Sequence, residues 1–580
     1  MTDISSVRGA VDGDIMWRHL EEFAKYEKEA GTPGELESLR YCEDVMRSYG
    51  YRTELLSHEA YISLPKPGAS VKVGGVEVGA ITHSFSRSAP AGGLKGKVVD
   101  VGKGMPDDYK GKDVRGKIVL MDGIANPVVT MIACRMGAIG QIHVSPSEQR
   151  HEMCISPVWG SPDDRKAKNL PTSVVCTVRE SDGAKLREEL AKNGAADGVL
   201  VADVDTGWRP TPILVADMSS SAGGDEEPFV FYTGHHDTWY YGVMDNGGAN
   251  ATMIEVARIA ALHRDQWKRA LRVVFWSGHS QGRYSSSSWY ADHNWEELQR
   301  RALVHVNVDS TGGKNNTVVA DTAAAAELRG LASEAIREVS GQTFGNARMA
   351  RAGDQSFWGM GVPAIFGNMS THPVDAAPAA NGPVAMFRPG KSGGFGTGWW
   401  WHTPDDLIEQ MDNDILVRDT QIYMHTVWRL LTDAALPLDY AEHGRYLSEE
   451  LASLQTAVGA RFDLSELQRR AEKLVALASA LPPDADPMLV NGILFKVSRA
   501  LVPVDYTDCD AFDHDPALPM RAYPSLQSVR DLPTLPTGSD EEKFMTTRLV
   551  RARNRVAVAL AAACAALEEG LAELKKGKSQ

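Results

Sequence analysis

The stretch TGHHDTWYYGVMDNGGANA, residues 233–251, decides how the chain is read. The apolar run PFVFYTG (228–234) predicts a strand that delivers His235, an acid follows at Asp237, and Asp245 precedes a Gly-rich segment that opens a helix. A divalent-metal site needs these groups at one strand end: a neutral imidazole on the ion, a carboxylate able to bridge two ions, and a further carboxylate to orient the imidazole. Taken alone, GHHD reads equally well as a surface loop. His236 alternates with His235, so it should face the other side of the strand and pack rather than ligate.

Three more strands are predicted nearby: ALRVVFWSG (270–278) ending before His279, ALVHVNV (302–308) ending before Asp309, and VPAIFGN (362–368). Each brings a polar residue to its carboxyl end, where open α/β sheets assemble their sites. Asp309 in VNVDS and His402 in WWWHTPDD complete a His, Asp, Asp, His set. Alternating strand and helix patterns over 210–436 predict a sheet covered by helices. The helical pattern at the start, within residues 1–60, belongs to the same domain. Between them, residues 61–209 carry short β-branched runs such as VKVGGVEV and GKIVLMDG separated by Gly, Pro and Asp, which predicts a β-rich insertion. Residues 437–580 return to helical periodicity and predict a separate bundle or interface.

Composition narrows the functional classes. The 580 residues are 43% hydrophobic and 24% charged, an ordinary globular balance with room for several domains. A formal charge of −15 disfavours nucleic acid and anionic membrane surfaces as partners. The opening MTDISSVRGAVDGD lacks a basic start and an apolar core, so a cytoplasmic location is expected. The Ala-rich run Val556 to Leu567 is too short to span a bilayer, and no membrane partner is expected. Six scattered cysteines without a CxxC pair argue against a thiolate zinc site or a disulfide framework.

GHHDTWYYGVMDNGG, FWSGHSQGRYSSSSWYAD, VHVNVDS, GDQSFWGMGVPAI and WHTPDD together resemble, in order and spacing, the blocks of the zinc aminopeptidase and glutamate carboxypeptidase family, which includes the transferrin receptor. VRGKIVLMDG, CRMGAIGQIHV and NLPTSVVCTV resemble the protease-associated domain inserted in its larger members. The closing helices, with FKVSRALVPVDY, resemble its helical dimerisation domain. The resemblance implies an aminopeptidase-like mixed α/β sheet flanked by helices, one or two divalent ions, most often zinc, and a homodimer joined through the C-terminal helices. It implies that His235 and Asp309 hold one metal, Asp245 bridges, His402 holds a second, and Asp237 orients His235.

The pattern breaks at one place. Where the family has two consecutive glutamates, a general base and a ligand of the second metal, this chain has His279 and Ser280. Histidine can take over proton transfer or can itself ligate, whereas Ser280 is a poor zinc ligand. One tightly bound ion and one weak or absent ion are therefore expected. Arg283, Gln281 and the loop residues Arg388 and Lys391 are candidates for reaching a substrate, and Trp401, with Trp399, Trp400, Trp239, Tyr240 and Tyr241, for walling its pocket. The expected function is hydrolysis of an amide bond in a small peptide or N-acylated amino acid. The alternatives are a repurposed metal-dependent lyase or other non-peptidase enzyme in which His279 abstracts a carbon-bound proton, or a non-catalytic receptor-like binding protein.

Overall fold

The computed structural model describes residues 2–193, 196–373 and 396–577. The β-branched and aromatic runs become, in chain order, β1 (Arg52–Pro65), β2 (Ser70–Val73), β3 (Val76–Gly79), β4 (Ile81–Thr82), β5 (Leu94–Asp100), β6 (Ile118–Asp122) and β7 (Gly140–Val144). They continue as β8 (Val174–Val178), β9 (Asp197–Val201), β10 (Val204–Met218), β11 (Phe229–His235), β12 (Ala270–Trp276), β13 (Ala302–Asp309) and β14 (Ala364–Asn368).

The main sheet has the order β1-β10-β12-β11-β13-β14. Its last four strands run parallel, and β10 and β1 are antiparallel at the opposite edge. Side chains alternate across β11 as the period of two demands. Phe229 and Phe231 pack with Tyr290, Ala291 and Leu298 from helices Ser285–His293 and Trp295–Arg301. Val230 and Tyr232 pack with Ile254 and Ala257 of helix Ala249–Leu262 and with Tyr423 and Val427 of helix Asn413–Thr432. Helices therefore cover both faces, which is why these strands are apolar throughout. From β11 the chain crosses one face to β12, then returns across the other to β13 on β11's far side. The strand order reverses beside the carboxyl end of β11, the topological switch point at which such sheets open a crevice.

The four strands predicted from the apolar runs are the four parallel strands. The edge pair is a difference: β1 and β10 pair along their whole length, from Arg52↔Asp217 to Pro65↔Val204. The expected junctions at 60/61 and 209/210 thus fall inside a two-stranded stalk, and the second sheet, order β3-β2-β9-β5-β6-β7-β8-β4, emerges from its end. That sheet has apolar residues on both faces, with Ile118 and Leu120 in one cluster and Val119 and Met121 in another.

Helices Tyr440–Val458, Ser465–Ser479, Pro487–Tyr506 and Asp540–Gly577 pack on one another at the C-terminal end. Pro487–Tyr506 has the length and hydropathy of a membrane span, but it buries Val497, Leu501 and Val502 in the protein core. Buried charges join this region to the main domain. Arg348 donates to Asp505 Oδ1 at 2.6 Å, Asp505 Oδ2 lies 3.1 Å from His443 Nε2, and His443 Nδ1 lies 3.2 Å from Glu327.

Candidate metal centre

At the end of β11 the chain turns sharply, and the Asp237 carboxylate accepts the backbone N–H groups of His279 at 3.1 Å and Ser280 at 2.8 Å. The segment following β12 is thereby pinned to the end of β11. His235 Nδ1 donates to the main-chain oxygen of Asp237 at 2.8 Å, while the Asp237 carboxylate lies 3.9 Å from it. Asp237 therefore orients His235 through its backbone, and its carboxylate serves the turn instead, a correction to the expected carboxylate–imidazole pair. Either acceptor fixes the ring with Nε2 toward the centre.

Asp245 is held by a residue that the sequence reading did not single out. Asp406, the second acid of WHTPDD, accepts the N–H groups of Met244 at 2.8 Å and Asp245 at 3.0 Å. Asn246 donates to the carbonyls of His235 at 3.0 Å and Val308 at 3.3 Å and accepts from Ser310 N–H, so it staples β11 to β13. The Asp245 carboxylate then faces two imidazoles: Oδ1 lies 3.2 Å from His235 Nε2, and Oδ2 lies 3.1 Å from His402 Nε2. Asp309 Oδ1 is 3.9 Å from His235 Nε2.

His402 arrives from the far wall. Its Nδ1 donates to the Glu152 carbonyl at 2.6 Å, and the Glu152 N–H donates to the His402 carbonyl at 3.0 Å. The main chain of the inserted region thus sets this imidazole. Trp401 stacks on it with ring centroids 3.4 Å apart.

His279 stacks on His235 with centroids 3.8 Å apart and planes 14° apart, and its Nδ1 lies 2.7 Å from Oδ2 of the buried Asp354. The donor atoms of His235, His279 and Asp309 fall within 4.8 Å of one another. Nearly parallel rings, however, direct their in-plane lone pairs side by side rather than to a common point, so His279 sits beside the His235, Asp245, Asp309, His402 set.

The set suits a cation. His235 Nε2 and Asp245 Oδ1 are buried without a hydrogen-bond partner. Burial works against a charge on His235, yet Asp245, Asp309 and Asp237 outweigh it and raise its pKa to about 10. A divalent ion in place of that proton satisfies the same carboxylates and both orphaned atoms. Nitrogen and oxygen donors without thiolate suit zinc and its first-row neighbours.

A cavity opens onto the centre, lined by Asp245, His279, Ser280, Asp309 and His402 together with Trp239, Arg283, Tyr284 and Trp401. Arg283 and Trp401, expected to reach a substrate, thus both line this cavity. Arg283 donates to the Ala517 carbonyl at 3.2 Å, and its Nε is buried without a partner. Other candidates are engaged elsewhere. Gln281 bridges Thr238 O and Ala30 N–H, Tyr240 donates to Glu152, and Trp399 is exposed. His236 bonds Ser38 and Asn250 on the opposite face, as expected. Arg388 and Lys391 lie outside the described residues.

Comparison with known proteins agrees with the sequence resemblance. Residues 214–427 match the model of Peptidase family M28. A probable glutamate carboxypeptidase of Zea mays is 24% identical over 349 residues, 48% of each chain, and one of Arabidopsis thaliana is 22% identical over 364 residues, 50% of each. The chain spans about half the length of these curated relatives. Among solved structures, an aminopeptidase from Aneurinibacillus sp. strain AM-1 aligns with TM-score 0.54 and 18% identity, covering 74% of this chain and 96% of that one. A zinc aminopeptidase from Bacillus subtilis aligns with TM-score 0.55 and 16% identity, covering 74% and 97%. The fold is the aminopeptidase-like mixed α/β fold, and its central part is similar to Peptidase family M28.

Proposed function

We propose that this chain is a metal-dependent hydrolase that cleaves an amide bond in a small peptide or N-acylated amino acid. The observation that carries the reading is the convergence of His235, Asp245, Asp309 and His402 at one cavity, which Asp245, Asp309 and His402 line, with the His279–Asp354 pair beside them. His235 and Asp309 would hold one ion, and Asp245 would share it with a second resting on His402. Zinc is the expected metal. A bound divalent metal supplies Lewis-acid polarisation of a carbonyl and lowers the pKa of water to about 7.

The chain's own residues supply the rest. Asp354 engages Nδ1 of His279, which leaves Nε2 to take a proton at the cavity and return it to the leaving amine. Ser280 contributes its backbone N–H to the Asp237 turn and no carboxylate to the centre, which supports one strongly held ion and one weakly held. Arg283 presents a buried guanidinium whose Nε is unspent, suited to a substrate carboxylate. The exposed Met488, Phe544 and Val558 on the C-terminal helices support a homodimer through that region, and the inserted sheet is assigned as a protease-associated domain by its sequence resemblance.

Metal analysis with a dipeptide and N-acetyl amino acid panel tests the reading. At least one equivalent of divalent metal should copurify, chelation should abolish cleavage, zinc should restore it, and the product carboxylate should carry one oxygen from labelled water. A metal-loaded protein that releases a product lacking solvent oxygen, or cleaves nothing in the panel, overturns it.

A further inference from the structure

On the β13–β14 side of the cavity, opposite His402, stand three uncharged amides: Asn307, Gln355 and Asn368. Each is tied to the centre by the chain. Asn307 lies two residues before Asp309 on the same side of β13, Asn368 is the register partner of Asp309 on β14, and Gln355 follows Asp354, which holds His279. Asn307 is 2% exposed and Gln355 4%. Asn307 Oδ1, Gln355 Oε1 and both Nδ2 and Oδ1 of Asn368 are nevertheless buried without a hydrogen-bond partner. Folded proteins pair nearly all such groups, because a buried amide that loses water and gains nothing is destabilising.

The space around them is kept open by glycine. A Cβ on Gly353 would lie 2.8 Å from Gln355 Nε2 and 3.0 Å from Asn307 Nδ2, and one on Gly367 would lie 3.6 Å from Asn307 Nδ2 and 4.0 Å from Gln355 Nε2. The two amide ends therefore meet over a backbone without side chains. Arg348, the nearby cation on this wall, is neutralised by Asp505.

We propose that Asn307, Gln355 and Asn368 form a neutral recognition subsite beside the metal centre, which accepts an uncharged hydrogen-bonding group of the substrate, a carboxamide above all. It rests on the reading of this cavity as the substrate site. A carboxamide offers two N–H donors and one carbonyl acceptor, so it can serve two of the three unspent oxygens and accept from Asn368 Nδ2, whereas a carboxylate can only accept and a thioether offers almost nothing. The subsite therefore selects Gln or Asn side chains over Glu, Asp or Met of like size next to the scissile bond.

Uncleavable reduced-bond dipeptides carrying Gln, Glu or Met on either side of a partner Ala, titrated calorimetrically into zinc-loaded protein, test this without relying on turnover. In one of the two positions Gln should bind about tenfold more tightly than both Glu and Met, the size of one to two net hydrogen bonds. Gln355→Met and Asn368→Leu should each bring that preference below threefold with zinc content unchanged. Gly353→Ala, whose Cβ would crowd the ends of Gln355 and Asn307 and displace them while keeping both amides in the chain, should do the same should either of those variants fold poorly. Equal binding of the three side chains, or a preference for Gln that survives all three substitutions, overturns the subsite. A preference for Gln in a protein that cleaves no peptide would leave the subsite standing and remove the hydrolase reading instead.

Discussion

Removing the imidazole of His279 separates the two roles open to it. If both His235 and His279 ligated one ion, that ion would lie between rings whose centroids are 3.8 Å apart and whose planes are 14° apart. It would sit off each plane by roughly half that separation, close to the whole length of a Zn–N bond of about 2.0–2.1 Å. The lone pairs lie in the ring planes, so little overlap remains, and metal content should survive His279→Ala. Loss of a general base lowers kcat by about 10²- to 10⁴-fold. Asp354→Asn keeps the imidazole but exchanges a charge-assisted bond of 2.7 Å for a neutral one. Such bonds are worth about 1.5–3 kcal/mol, so kcat should fall by roughly 10- to 150-fold. Metal analysis and steady-state kinetics on one dipeptide are read together for both variants. A full equivalent of metal lost from His279→Ala refutes the geometric argument and makes His279 a ligand; undiminished kcat refutes its part in the reaction.

Acid should weaken the inserted domain independently of metal. Burial lowers the pKa of His83 to about 3 and that of His143 to about 4. The unfolded chain takes up protons first as pH falls below about 6.5, so stability present above that value is lost toward pH 4, by roughly 2 kcal/mol per imidazole between pH 7 and 5. Thermal unfolding of chelated protein checks this, and a midpoint unchanged over that range contradicts it. Asp406→Ala strips two buried N–H groups of their acceptor at the Asp245 turn. Metal affinity should drop about 10- to 100-fold in competition with a chromogenic chelator, and an unaltered affinity would mean the turn holds itself. Asp505→Asn leaves Arg348 buried opposite a neutral group, so the urea midpoint should report about 3–5 kcal/mol lost. A change under about 1 kcal/mol would show water reaching that pair.

What could be recognised from sequence follows from which interactions leave a local trace. The four parallel strands are buried on both faces, so each is an uninterrupted apolar run ending at a turn residue, and the polar residue after it marks the site. β1 is an edge strand, exposed at its outer end and buried only between His58 and Ser63, so its sequence lacks a clean apolar period and gives no sign that it runs unbroken across the expected junction at 60/61. Asp354 leaves no local trace as a partner of His279, because 75 residues separate them and the contacts that seat its segment beside β12, Phe357 on Trp276 and Ser356 with Ser287, are long-range too. The support for His402 left no trace at all, since the carbonyl and N–H of Glu152 are main-chain groups that any residue offers.

The place of Asp237 bears on how the glutamate pair expected here could be replaced without the site collapsing. Its carboxylate binds the N–H groups of residues 279 and 280, not their side chains. The turn after β12 is therefore specified by an acid just past the end of the neighbouring strand, and either side chain can change while the backbone keeps its position. Histidine at 279 finds Asp354 and the face of His235 already in place. Serine at 280 withdraws a ligand from the second ion and leaves the backbone frame intact. The centre should thus retain its ion at His235, Asp245 and Asp309 while affinity at His402 weakens. Zinc titration into the metal-free protein should give two separated affinities, with Ser280→Glu bringing them together; a single affinity in both proteins would show that the backbone frame alone does not set the occupancy of this centre.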